Sequence, residues 1–213
     1  MLEIAPPVVL TPKMRHRPNL SALVSEIRAC QICASELPHG VKPVLRISRT
    51  ARLCIAGQAP GQRVHNTGVP YDDASGNRLR AWLGMEREIF YDESRDAIIP
   101  MGFCFPGYDE AGADKPPRPE CVRHWHGQLF ATAPKFRLLL AIGTYAQRYH
   151  LNGAGKKSVT ETVRSWQEYG PFVIPLPHPS WRNNGWLRKN PWFEAELIPH
   201  LRAQVARALS TEP

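Results

Sequence analysis

The sequence predicts an α/β fold: three layers, α/β/α, around a central four-stranded, mostly parallel sheet. Three observations carry that expectation. Four short apolar runs are spaced along the chain, and each is followed by a helical pattern. Strands that alternate with helices build βαβ units, whose parallel strands need crossovers. Right-handed crossovers then put helices on both faces of the sheet.

Residues 1–18 are expected to form a flexible N-terminal arm and 19–213 a single domain, since 213 residues supply one core and fall short of two. A first helix is expected over 19–33, with Leu20, Leu23, Val24 and Ile27 on one face. The first apolar run, 53–56, precedes a helix near 77–83 with Leu79, Trp82 and Leu83 inward. The second, 97–99, leads through a long loop to a helix near 120–130 carrying Val122, Trp125 and Leu129. The third, 138–142, passes at once into a helix at 144–150. After the fourth, 172–176, come a loop and a helix over 191–209, where Asn190 can cap and Pro191 takes the favoured first position. Ligands of such folds bind beyond the carboxyl ends of the strands. A site is therefore expected in the loops 57–75, 101–119 and 178–190.

A net charge of +8 and a pI near 9.5 suit a polyanionic partner without proving one. The apolar run Val8-Val9-Leu10 is too short for a secretory leader and follows two prolines, and no stretch reaches the length of a membrane span. The expectation is a cytoplasmic protein with no membrane partner. There, five cysteines point to metal binding, catalysis or burial rather than disulfides.

Two loops concentrate the chemistry. The first opens Gly57-Gln58-Ala59-Pro60-Gly61, a stiff turn whose amides can approach a ligand closely. The other opens His178-Pro179-Ser180 behind Pro177, and the flanking prolines hold His178 in place. Together the two loops resemble the paired signatures of the uracil-DNA glycosylase superfamily. Thr67-Gly68-Val69-Pro70-Tyr71 and Ser75-Gly76-Asn77-Arg78-Leu79 are similar to a stretch of its iron–sulfur (family four) branch.

That resemblance implies a DNA glycosylase for uracil or a related deaminated or damaged base, working in base-excision repair. Gln58, with Gly57, Ala59 and Met101, would bind the flipped base. Tyr71 would stack on it, and His178 would donate to the base oxygen that gains charge as the bond breaks. Ser180, Trp181, Arg182, Arg188 and Lys189 would contact DNA, single-stranded or mismatched. A non-catalytic lesion-binding protein of the same fold is the alternative. A hydrolase using a Cys104/His178 pair is a third reading.

Cys30-x-x-Cys33, Cys104 and Cys121 supply four thiols for a metal, and their spacing leaves zinc and a 4Fe–4S cluster open. The resemblance favours the cluster; zinc with His124 or His126 is the alternative. Cys54, inside the first apolar run, is expected in the core. Ala59 lacks the acid or amide that the best-known members of the superfamily carry there, as the branch does too, and the chain departs from the branch at Val64, where an acid is expected, and at Pro100, where an asparagine would read the base edge. Asp72 or Asp73 can replace the carboxylate or simply cap a helix. The missing edge reader predicts a relaxed range of bases, with uracil joined by xanthine, hypoxanthine or 5-substituted uracils.

Overall fold

The computed structural model describes residues 19–210, so the expected arm at 1–18 lies outside the described residues. Four strands form the sheet: β1 (Leu53–Ala56), β2 (Asp96–Ile98), β3 (Leu138–Ile142) and β4 (Val173–Leu176). Their order is β2-β1-β3-β4 and every pairing is parallel. Leu53 stands opposite Asp96 on one side and Leu138 on the other, and Leu140 opposite Ile174. All four residues of β1 are buried, as a central parallel strand covered on both faces requires.

The helices are α1 (Leu20–Arg28), α2 (Gln62–Thr67), α3 (Ala74–Leu83), α4 (Arg87–Phe90), α5 (Pro119–Cys121), α6 (Gly127–Thr132), α7 (Gly143–His150), α8 (Val159–Arg164), α9 (Asn184–Lys189) and α10 (Ile198–Leu209). A π-helical turn, Val122–His126, joins α5 to α6, and another, Phe193–Leu197, leads into α10.

Alternation along the strands divides the core. Leu53 and Ile55 of β1 pack with Leu79 and Leu83 of α3 and with Leu201 and Val205 of α10. Cys54 faces the other way, toward Leu23 and Ile27 of α1 and Leu129 of α6. Leu23 and Ile27 are fully buried, and truncating either to Ala costs roughly 2–5 kcal/mol. This is the expected three-layer arrangement.

Three boundaries differ from expectation for physical reasons. Helix α1, capped by the Asn19 side chain, stops at Arg28 rather than 33, and Cys33 precedes a short 3₁₀ turn. Strand β2 begins one residue early, at the fully buried Asp96, which an apolar pattern cannot flag. Strand β4 omits Phe172, which stands 67% exposed. The short helices α2 and α9 lie where loops were expected, and α4 and α8 lie in connections to which no element was assigned.

Candidate active site

A cavity of about 120 Å³ opens at the carboxyl ends of β1, β2 and β4. Gly57, Gln58, Ala59, Tyr71, His178 and Ser180 all line it, so residues expected from three separate stretches of chain meet there. The loops after β1 and β2 are stitched by backbone bonds, from the Met101 N–H to the Gly57 carbonyl and from the Gly102 N–H to the Gln58 carbonyl, each 2.9 Å.

Tyr71 depends on two glycines. A β-carbon at Gly57 would stand 2.6 Å from the Tyr71 hydroxyl oxygen, and one at Gly76 only 1.7 Å from the Tyr71 carbonyl oxygen. The residue itself sits at φ 55°, a left-handed conformation uncommon for a tyrosine. Its ring meets Phe90 edge-on at 6.1 Å. Burial raises the phenol's pKa, with Asp73 adding in the same direction.

Helix α3 begins at Asp73, whose Oδ1 accepts the Gly76 N–H at 2.8 Å. Its other carboxylate oxygen has no partner among the described residues, and Asp73 lines the cavity. Asp72 instead pairs with Arg87 at 3.2 Å, outside the cavity lining. Of the two acids, one therefore both caps and faces the site.

His178 leaves β4 between two prolines. Its Nδ1 accepts the Ser180 N–H at 3.2 Å, which assigns the ring proton of the neutral imidazole to Nε2. Burial lowers its pKa, against the opposing pull of Asp73 and Asp114, so the neutral form prevails at neutral pH. The loop is tied down twice. Asn183 donates to the His178 carbonyl at 2.7 Å, and Arg78 of α3 donates to the Ser180 carbonyl at 2.9 Å and the Asn184 side chain at 2.7 Å.

Sequence reasoning missed Asp114, a cavity-lining residue from the long loop after β2. Its pKa is raised by burial, opposed by Arg182 and His178. Arg78 was missed as a positioning residue as well. Asp114 belongs to no local motif, and Arg78 lies in the 75–79 motif without any sign of its partner, since the fold alone brings it to the His178 loop.

Met101 does not join the cavity. Beyond β2 the chain turns Pro100 toward the site and Met101 away, into an apolar cluster with Val122, Tyr145 and Tyr149. The Gln58 side chain reaches toward the Lys115 carbonyl at 3.4 Å, near the rim. Trp181 is 68% exposed with the Arg182 guanidinium 5.9 Å from its ring centre, while Arg188 and Lys189 end α9 in solvent.

A second cavity, small and enclosed, is lined by Cys30, Cys33, Cys104 and Cys121 with Ile27 and Leu37. Two sulfurs accept N–H bonds: Cys121 from the Phe103 amide at 3.4 Å and Cys30 from the Trp125 indole at 3.3 Å. Cys33 lies beside Arg118 and Glu120. Burial, then the neighbouring sulfurs, pushes the Cys104 thiol up to about 11 and Cys121 to about 12.

Cys104 lines the cysteine cavity and His178 the other, so the structure does not bring the two together as a nucleophile pair. His126 is fully buried, stacked on Phe103 at 5.3 Å, and His124 is exposed, so neither lines the cysteine cavity. Cys54 is core, as expected. Among the described residues no three His, Cys, Asp or Glu side chains are arranged to hold a single metal ion. No helix there is long and apolar enough to cross a membrane.

Compared with known protein families, residues 46–202 match the model described as the Uracil DNA glycosylase superfamily. The match contains every residue of the His178 cavity except Val44, together with Cys104 and Cys121, and begins after Cys30 and Cys33.

Proposed function

The chain belongs to the uracil DNA glycosylase superfamily of DNA-repair hydrolases, and from that premise we propose that it excises uracil or a closely related damaged pyrimidine from DNA. The observation that carries the reading is His178, its Nδ1 occupied by the Ser180 amide so that Nε2–H remains as the donor facing the cavity.

The reaction asks for that arrangement. The bond between the sugar C1′ and the base nitrogen breaks with its electron pair leaving on the base, whose oxygen gains negative charge. A neutral imidazole N–H held in position stabilises that charge more in the transition state than in the ground state, typically by roughly 10²–10³ in rate. The sugar becomes cationic and is captured by water. The free oxygen of Asp73 and the carboxylate of Asp114 both face this cavity, and they supply the charge and water-orienting function that Ala59 and Val64 lack. This favours catalysis over the binding-only alternative.

Pro100 lines the cavity without a side-chain donor, so edge reading falls to the backbone of the 57–61 loop. Uracil and small 5-substituted uracils are the substrates this reading puts first. Trp181 and Arg182 at the rim, with Arg188 and Lys189 beyond, suit a DNA strand, and extrusion costs least from single strands or mismatches.

The four cysteines fit a 4Fe–4S cluster in this reading. They line one enclosed cavity, and N–H donors to the sulfurs are the bonds that stabilise cluster thiolates. When bound, the group would serve structurally, tying the segment after α1 to the loop after β2.

The deciding experiment offers purified protein single-stranded and mispaired oligonucleotides carrying uracil, 5-hydroxymethyluracil, hypoxanthine or xanthine, and reads strand cleavage after alkali. Cleavage at the pyrimidines, fastest in single strands, is expected. DNA binding without cleavage at any of the four bases contradicts catalysis and favours the lesion-binding reading.

A further inference from the structure

Beside the base cavity lies a larger one, of about 670 Å³, that the proposed reaction leaves unused. Its floor is apolar and aromatic, with Tyr145 and Tyr149 of α7, Pro117 and Val122, and Met101 at its inner end. The π-helical turn contributes Val122 and Arg123, and such turns often mark functional walls. Its rim is cationic. Arg118 and Arg123 share Glu120, at 3.0 Å and 3.5 Å, but Arg148 is exposed and has no partner among the described residues.

Arg148 also borders an adjoining cavity of about 440 Å³ lined by Thr144, Lys156 and Lys157. Lys156 is neutralised by Glu168 at 2.5 Å, while Lys157 has no partner among the described residues. Both cavities join the base site through the chain. Pro100 lines the base cavity and Met101 the large one, and a β-carbon built at Gly143, the residue before Thr144, would stand 4.0 Å from the His178 β-carbon.

An apolar floor carrying two tyrosines suits a stacking ring, and the unpaired Arg148 at its edge, with Lys157 in the adjoining cavity, suits an anion attached to that ring. A nucleotide carries both, its base stacking on tyrosine and its phosphate meeting arginine or lysine. We propose that the large cavity is a second base-binding site, taking an unpaired nucleobase of the substrate strand while its phosphate meets Arg148 and Lys157. The proposal rests on the DNA-glycosylase reading. It gives single strands, whose bases are free to enter, a grip that duplex DNA lacks.

The test places 2-aminopurine at successive positions on either side of the target uracil in a single-stranded oligonucleotide. Binding and fluorescence are followed with the wild type, Val122→Trp, which fills the cavity, and Arg148→Gln, which removes the free surface cation. One position should change fluorescence on binding to the wild type and lose that change in Val122→Trp. Both variants should bind single strands about tenfold more weakly, the loss of one stacked base or one phosphate contact, with duplex affinity held. If Val122→Trp does not fold, Arg148→Gln alone carries the comparison. Variants that bind single strands as tightly as the wild type, or the absence of any responding position, overturn the proposal and leave the cavity to a protein partner. Excision is measured on the same oligonucleotides. A responding base without excision faults the glycosylase reading, whereas excision without a responding base faults only the second site.

Discussion

The loop after β2 serves two cavities that differ in almost every physical respect. Pro100 borders the His178 cavity, whereas Phe103, Cys104 and Cys121 border the cysteine cavity. The first is polar and built from four segments, with Tyr71 at a strained φ held by contacts at Gly57 and Gly76. The second is lined by apolar side chains and cysteines with Arg118, and two of its sulfurs already receive N–H bonds. A site that does chemistry keeps donors and carboxylates with spare capacity, and a site that holds the chain together leaves few groups unpaired. The two should therefore fail differently, one losing rate and the other losing stability.

Cys121→Ser should produce the largest loss of stability. We expect it to remove bound iron and sulfide and to cost about 3 kcal/mol, a fall in Tm of roughly 6–12 °C for a chain of this size. Cys54→Ala should keep the metal. Iron analysis with thermal unfolding checks both, and a Cys121→Ser protein that kept wild-type stability but lost excision would break the division.

Acid should strike the region between the cavities next. Burial holds the imidazoles of His126 and His150 at about 4, below their ordinary 6.5. The unfolded chain then binds more protons over that window, so stability falls as pH drops below 6.5 toward 4. Asp96, raised to about 8 by burial, works in the opposite sense and offsets one of the two histidines. The net expectation is a loss of about 1.4 kcal/mol per pH unit, read from urea midpoints between about pH 6.5 and 4.5. Stability that instead rises as pH falls through this window would mean that both histidines are protonated in the folded state and that only Asp96 remains.

Tyr71→Leu sharpens the comparison from the other side. Loss of the stacking face should slow excision about tenfold while the metal stays bound. Lys189→Gln should do least, reducing DNA affinity by a few-fold at low salt and the slope of log affinity against log salt by about 1. A larger effect of Lys189 than of Tyr71 would shift the account from base recognition to backbone contact.

Much of the fold was legible because buried parallel strands read as unbroken apolar runs, as 53–56 and 138–142 do. Strand β2 slipped because its first residue is a buried aspartate, and α4 and α9 were missed because four- and six-residue helices leave almost no periodicity. In the site, His178, Tyr71 and the 57–61 loop were legible because local constraint marks them: prolines, glycines and strand ends. Asp114 carries no such mark, and the 75–79 motif that contains Arg78 does not show what Arg78 holds. Arg78 reaches Ser180 and Asn184 across more than one hundred residues, a contact that only the folded chain defines. Met101 was misdirected by one position, because successive side chains past a strand end point to opposite sides.

The most direct test of the central claim is single-turnover excision of uracil from a single-stranded oligonucleotide by wild type and His178→Ala, with Tm and DNA affinity measured on the same preparations. The account predicts a rate lower by roughly 10²–10³ with both other quantities nearly unchanged, because the Nε2–H acts on charge that develops only in the transition state. A variant that excises uracil at the wild-type rate would contradict it.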